Sequence, residues 1–232
     1  MPTLESHLDT SSERFQQQRA EMLALLEEIR DIEGRIRANS NKAKKKFDKR
    51  GQLMPRERVA QLLDPGSPFL EFSSLAGYKM HDDNGKKDVA GGGNIIGVGF
   101  IAGIRCLVTA NDSAIKGGSI TPMGLKKSLR AQEIALQNRL PVVSLVESGG
   151  ANLLYQSELF VDGGRVFANM ARLSAAGIPQ VTIVHGSSTA GGAYMPGLSD
   201  YVIAVKDRAK IFLAGPPLVK AALGEDASDE EL

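Results

Sequence analysis

The chain of 232 residues has no tryptophan, a single cysteine and only three histidines. One thiol, Cys106, rules out an internal disulfide, and its place inside an apolar run makes it a small core residue. His7, His81 and His185 are scattered, so with that lone cysteine no zinc-type spacing exists and no metal is expected. Aromatic residues make up 5%, too few for an aromatic-rich all-β core. Neither sign of charge is in excess: the formal net charge is +1, which suggests neither nucleic acid nor a membrane surface as a partner. No apolar run approaches a membrane span, and the polar opening MPTLESHLDTSSERF lacks the apolar region of a signal peptide, so the cytosol is the expected location. Glycine, in contrast, is plentiful at 25 residues, and hydrophobic residues reach 42%, enough for a sizeable core. That combination favours many tight strand-to-helix turns.

Two of those turns repeat. The apolar run from Pro141 to Val146 drives into Glu147-Ser148-Gly149-Gly150-Ala151-Asn152. Pro179 to His185 does the same into Gly186-Ser187-Ser188-Thr189-Ala190-Gly191-Gly192-Ala193. Either turn alone reads first as a tight strand-to-helix connection. Glycine also lets backbone approach a ligand and leaves its N–H unshielded. Two such turns side by side can aim amides at one oxygen that becomes negative during a reaction. The repetition at the same place relative to a strand favours a site.

Along the chain, residues 12 to 38 predict one amphipathic helix, with Met22, Leu25, Leu26, Ile29, Ile32 and Ile36 three or four apart. The basic run 41–51 is either a solvated face or, with Arg56 and Arg58 close behind, a place to capture a phosphorylated ligand. A short helix from Pro55 stops at Pro65-Gly66, and Phe69 to Phe72 reads as the first strand. Residues 81–87 form a polar surface loop. Gly97-Val98-Gly99-Phe100-Ile101-Ala102 has the spacing of a dinucleotide fingerprint, but a β-rich stretch follows where a helix must open, so a hairpin is predicted. Thereafter strand, turn and helix alternate. Thr121 and Pro122 start a helix that runs to Asn138; a strand spans 141–147, a helix Gly164–Ala176, a strand 179–185, a short helix opens near Gly191, and strands follow at 201–205 and 210–214. In such α/β sheets ligands sit beyond the carboxyl ends of the strands, where both Gly-Gly turns fall.

Four blocks in order carry a resemblance: Lys116-Gly117-Gly118-Ser119, Glu147 to Asn152, Thr189 to Tyr194, and Ile211 to Lys220, with Arg56-Glu57-Arg58 and Leu62 to Gly66 before them. Together they resemble the N-terminal half of the carboxyltransferase (β) subunits of acyl-CoA carboxylases, in the methylcrotonyl-CoA and geranyl-CoA branch. The resemblance implies a crotonase-like spiral of ββα units, with residues 1–66 as a helical extension and 67–232 as the carboxyltransferase N-terminal domain. It implies transfer of a carboxyl group from carboxybiotin, carried on a partner protein, to an acyl-CoA of the geranyl or 3-methylcrotonyl type. The proton leaving carbon is thought in this family to go to the liberated biotin, so no side-chain base is demanded. Carried over by residue, Gly149 and Gly150 line the thioester oxyanion hole and Gly191 and Gly192 are second-turn donors. Lys116, Gly117, Gly118 and Ser119 contact the CoA, and Ala151, Asn152, Ala193 and Tyr194 complete the substrate site. Leu153, Leu154 and Tyr155 are candidates for the pocket wall. Implied partners are a C-terminal carboxyltransferase half, a biotin carboxylase and biotin carrier subunit, and further copies in a homo-oligomer.

Family subunits carry a second crotonase-like half that holds biotin, whereas this sequence stops at Leu232. The expectation is a half-length carboxyltransferase: a truncated gene, a separately encoded domain or a fragment, with an inactive acyl-CoA-binding or assembly module as the alternative. A Clp-type peptidase shares the fold, but its nucleophile falls at Ala190, and His185 and Ser187 are expected on opposite faces of their strand. An enoyl-CoA hydratase needs paired carboxylates, and Glu147 stands alone.

Overall fold

The computed structural model describes residues 5–81, 83, 90–228 and 230–232. The predicted polar loop therefore lies outside the described residues at Asp82 and 84–87. Helix α1 (Glu13–Asn41) starts at Ser12, whose hydroxyl accepts the Phe15 amide at 3.3 Å. Its apolar stripe is packed only near the C-terminal end: Ile36 is buried, while Met22, Leu25, Leu26 and Ile29 are exposed. Contacts of that end explain why. Glu33 accepts the Ser74 hydroxyl at 2.6 Å, and the Ser40 hydroxyl donates to Asp112 at 3.0 Å. The basic run folds as α2 (Lys44–Lys49), which turns Phe47 into the core and leaves Lys45, Lys46 and Lys49 exposed. Helix α3 (Pro55–Leu62) follows, and Arg56 is tied in two bonds, of 2.7 and 2.9 Å, to Glu71.

Strand β1 (Leu70–Glu71) is shorter than the predicted four residues. Strands β2 (Asn94–Ile101) and β3 (Ile104–Asn111) form the predicted antiparallel hairpin, with Asn94 opposite Asn111. The Asp64 carboxylate accepts both turn amides, Ala102 and Gly103, at 2.7 Å, and no helix opens behind the would-be fingerprint. Helix α4 (Pro122–Asn138) is capped by Thr121, whose hydroxyl accepts the Gly124 amide at 3.1 Å, a contact worth about 1 kcal/mol. Strand β4 (Val142–Ser148), helix α5 (Gln156–Ala175) and strand β5 (Gln180–Thr189) come next. Helix α5 begins well before the predicted Gly164. Glycine is a weak helix former, but Leu159 upstream and Met170 and Leu173 downstream are all buried, and that packing carries the helix through the glycine pair. The short helix near Gly191 is a 3₁₀ turn over Ala190–Ala193 leading into α6 (Tyr194–Gly197). Strands β6 (Tyr201–Ala204) and β7 (Lys210–Phe212) and helix α7 (Pro216–Leu223) complete the described chain.

The seven strands among the described residues make one sheet in the order β1-β2-β3-β4-β5-β6, with β7 also on β5. The β1–β2 and β2–β3 pairs are antiparallel, and every pair from β3 onward is parallel. One face packs Ile96, Leu107 and Val142 against Ala131, Ala135 and Leu173 of the two crossover helices. The other packs Ile95, Cys106, Val108, Val143 and Leu145 against Val59 of α3. Full burial of a side chain such as Leu107 or Leu173 contributes about 1.5–3 kcal/mol. Because β3, β4 and β5 run parallel, their carboxyl ends share one edge, and the three turns after them meet there.

Candidate active site

The two Gly-Gly turns lie against one another. Gly150 has φ +81°, and a β-carbon placed on it would sit 3.4 Å from both the Ala190 β-carbon and the Thr189 carbonyl oxygen. One placed on Gly149 would sit 3.3 Å from the Gly117 carbonyl oxygen, so the Lys116–Ser119 turn adjoins the same spot. Lys116, Gly117 and Gly118 all have positive φ (47°, 65° and 72°), which folds that turn back on itself. The Ile120 amide then donates to the Gly150 carbonyl at 2.8 Å, and the Asn152 amide to the Ile120 carbonyl at 3.0 Å.

Ser148 joins all three turns, and nothing in the sequence reading singled it out. Its buried hydroxyl accepts the Gly150 amide at 3.2 Å and donates to the Gly118 carbonyl at 3.3 Å. Its own carbonyl accepts the Thr189 hydroxyl at 2.9 Å. Alternation could have found it: on β4, Val142, Ser144, Val146 and Ser148 all face the same cavity. The Gly150 amide is thus already bonded within the chain. The Gly149 amide has no partner among the described residues, and Gly149 itself is exposed. The amides of Gly191 and Gly192 find none outside their own 3₁₀ turn among those residues.

Beneath the turns a cavity of about 460 Å³ opens between the sheet and helices α4 and α5. Leu107, Val142 and Val146 of the sheet and Leu125, Leu159 and Met170 of the helices line it, with Gly149, Gly150, Ala151, Gly191 and Gly192 at the turns. A Thr109–Ser144 hydroxyl pair, 3.1 Å apart, is a polar spot on its wall. Gly163 and Gly164 of α5 also line it, and a β-carbon on either would meet nothing within 4 Å. Leu153 lines the cavity, whereas Leu154 is 84% exposed and Tyr155 borders a separate small cleft beside Lys116. Asn152 caps the Leu153–Tyr155 turn by accepting the Leu154 amide at 3.2 Å, and Tyr194 stacks on Phe167 at 4.6 Å. Neither Asn152, Ala193 nor Tyr194 borders the cavity itself.

Residues 46–232 match the family of the carboxyl transferase domain. The chain belongs to that family. It is 47% identical to a probable biotin-dependent acyl-coenzyme A carboxylase beta2 subunit of Mycobacterium tuberculosis over 99% of this chain and 42% of that one. Identity to a probable mitochondrial methylcrotonoyl-CoA carboxylase beta chain of Drosophila melanogaster is 49%, over 99% of this chain and 40% of the relative. Among solved structures, the beta subunit of P. aeruginosa geranyl-CoA carboxylase superposes with a TM-score of 0.89 at 61% identity, covering 100% of this chain and 42% of that one. Transcarboxylase 12S superposes at 0.80 and 29% identity, over 91% and 42%. The chain therefore spans roughly two fifths of the relatives it matches, and its α/β architecture is the crotonase-like one.

Behind the turns of this carboxyl transferase domain, on the sheet face away from the cavity, sits a small polar cluster. The Ser113 hydroxyl donates to the Glu147 carboxylate at 2.7 Å, and His185 Nδ1 lies 3.7 Å from that carboxylate. Burial, with the Arg58 charge adding to it, pushes the His185 imidazole down to about pKa 4, so it is neutral at pH 7. The order is not that of a hydrolytic triad, because the serine hydroxyl donates to the carboxylate and not to the imidazole. His185 is buried and Ser187 exposed, but alternation is not the reason, since residues two apart on a regular strand share a face. The register of β4 on β5 slips between Val146 and Ser148, opposite the stretch that holds both residues, and Ser187 lies nearer the carboxyl end of β5. Ala190, at φ +50°, offers no nucleophile at the peptidase position.

Proposed function

We propose that the chain is the acyl-CoA half of a biotin-dependent acyl-CoA carboxyltransferase. The observation that carries this is the contact of two Gly-Gly turns over a large apolar cavity. An acyl chain of the 3-methylcrotonyl or geranyl type fills the cavity, and its thioester carbonyl lies at the turns. As the substrate carbon loses its proton, the thioester oxygen gains negative charge, and fixed backbone amides stabilise it without any side-chain base. Gly149, with its unpartnered amide, is the first donor; Gly191 and Gly192 are the second-turn donors; Gly150 supplies the left-handed corner that brings the turns together. Lys116 to Ser119 hold the CoA beside them, and Ala151, Asn152, Ala193 and Tyr194 shape the surround.

Bound on its partner protein, carboxybiotin would supply the carboxyl group, and the biotin it leaves behind would take up the proton. This chain fits that division of work, because Gly149 is exposed and reachable from outside while the acyl cavity runs inward. Tyr201, Val202 and Ile203 of β6, all exposed, and Leu153, Phe160 and Val161 near the cavity mouth suit burial by a C-terminal half or by further copies in an oligomer. No described helix is long and apolar enough to cross a membrane, and a cytosolic setting agrees with this reading. The test is transfer of labelled bicarbonate into geranyl-CoA or 3-methylcrotonyl-CoA by the chain joined to its C-terminal half, with biotin carboxylase and carrier.

A further inference from the structure

Glu147 has no part in the chemistry above, yet its carboxylate is built into the fold on four sides. It accepts the Ser113 hydroxyl at 2.7 Å, and Ser113 stands on the limb that leads from β3 to the Lys116–Ser119 turn. A β-carbon on Gly118 would run into the Glu147 carbonyl oxygen, so there is no room for a side chain there. On β5 the same demand is made of Gly186, where a β-carbon would come within 2.6 Å of the Glu147 carboxyl carbon. The positive charge of Arg58 acts on Glu147 from α3, and His185 closes the remaining side at 3.7 Å. Its main chain, meanwhile, immediately precedes Ser148 and the Gly149–Gly150 turn. Two elements expected to hold different parts of one substrate are thus fastened to a single residue.

We propose that Glu147 is a positioning residue of the acyl-CoA site: by accepting the Ser113 hydroxyl it fixes the spacing between the CoA-holding Lys116–Ser119 turn and the carbonyl-holding Gly149–Gly150 turn. This rests on the acyl-CoA reading above. A carboxylate suits the task because a hydrogen bond to a charged acceptor is stronger than a neutral one. Gly186 keeps the space in which it sits.

The test uses the assembled carboxylase and two thioesters of the acyl group that the wild type turns over: the CoA ester, and the pantetheine ester, which lacks the nucleotide. Ser113→Ala and Glu147→Ala are expected to raise KM for the CoA ester by about tenfold, as loss of a hydrogen bond to a charged group does, with kcat retained. The pantetheine ester should lose less, and Glu147→Gln, whose neutral amide oxygen can still accept from Ser113, should recover most of the CoA value. Equal losses on both esters, a glutamine variant as poor as the alanine one, or no change in any variant would overturn the proposal. A wild type that carboxylates neither ester removes the acyl-CoA reading itself, and the positioning role with it.

Discussion

The Thr189 hydroxyl donates to the Ser148 carbonyl across 2.9 Å, joining the end of β5 to the end of β4 at the point where both strands break into Gly-Gly turns. Ser148 adds its own hydroxyl to Gly150 and Gly118, so one buried residue links three turns, two of them through its side chain. Ser148→Ala leaves the Gly118 carbonyl and the Gly150 amide without that partner. The expected cost is about 1–3 kcal/mol of stability, read as a lower urea midpoint at unchanged slope. Acyl-CoA affinity should fall with it. A variant as stable as the wild type would show that the turns hold themselves.

Gly150 sits at φ +81°, a conformation that a β-branched residue resists, with 3.4 Å to its neighbours. In a reconstituted enzyme, Gly150→Val should fold, by circular dichroism, and lose carboxylation by about 100- to 1,000-fold, the cost of one misplaced oxyanion donor. Ser187→Ala should be silent. The reverse pattern, an inactive Ser187→Ala beside an active Gly150→Val, would call for serine chemistry.

His185 makes stability depend on pH. Above its ordinary value of 6.5 the imidazole is neutral folded and unfolded, and contributes nothing to the slope. Between 6.5 and about 4 the unfolded chain takes up a proton that the folded chain refuses, so stability falls as pH falls; below about 4 that loss is complete. The gap corresponds to roughly 3 kcal/mol. Urea unfolding at pH 7 and pH 5 should therefore show a smaller drop for His185→Gln than for the wild type. Equal drops would mean that the buried imidazole is protonated in the fold.

The cavity depends on missing side chains. Gly164→Leu should leave the fold intact or slightly firmer, since leucine is the better helix former by roughly 1 kcal/mol. It should also shorten the space available to an acyl chain, so that affinity for a ten-carbon branched thioester drops more than affinity for a five-carbon one. Calorimetric titration of both measures this, and equal effects would place the acyl chain elsewhere.

Much of this was legible because the strands obey simple rules. The alternation of apolar runs with glycine turns marked an α/β domain with buried strands, and the β-rich stretch after Ala102 marked a hairpin in place of a nucleotide site. The Thr121–Pro122 start of α4 was readable from capping chemistry alone. What escaped was long-range. Ser148 resembles any serine until three turns converge on it, and the Gly150 amide looked free until that hydroxyl was seen to hold it. Gly164 read as the start of a helix; in the fold it and Gly163 lie inside one and border the cavity without side chains. The apolar stripe of α1 has the right period but finds packing only at Ile36.

The central claim is that this chain binds the acyl thioester and stabilises its enolate while the carboxyl group arrives from elsewhere. The most direct measurement is incorporation of labelled bicarbonate into geranyl-CoA or 3-methylcrotonyl-CoA, with biotin carboxylase and carrier present throughout. The 232-residue chain alone should bind the thioester and incorporate no label, and adding a C-terminal carboxyltransferase half should start incorporation, which Gly150→Val then suppresses. Robust labelling by the chain alone, or none with the C-terminal half and bound thioester present, would contradict it.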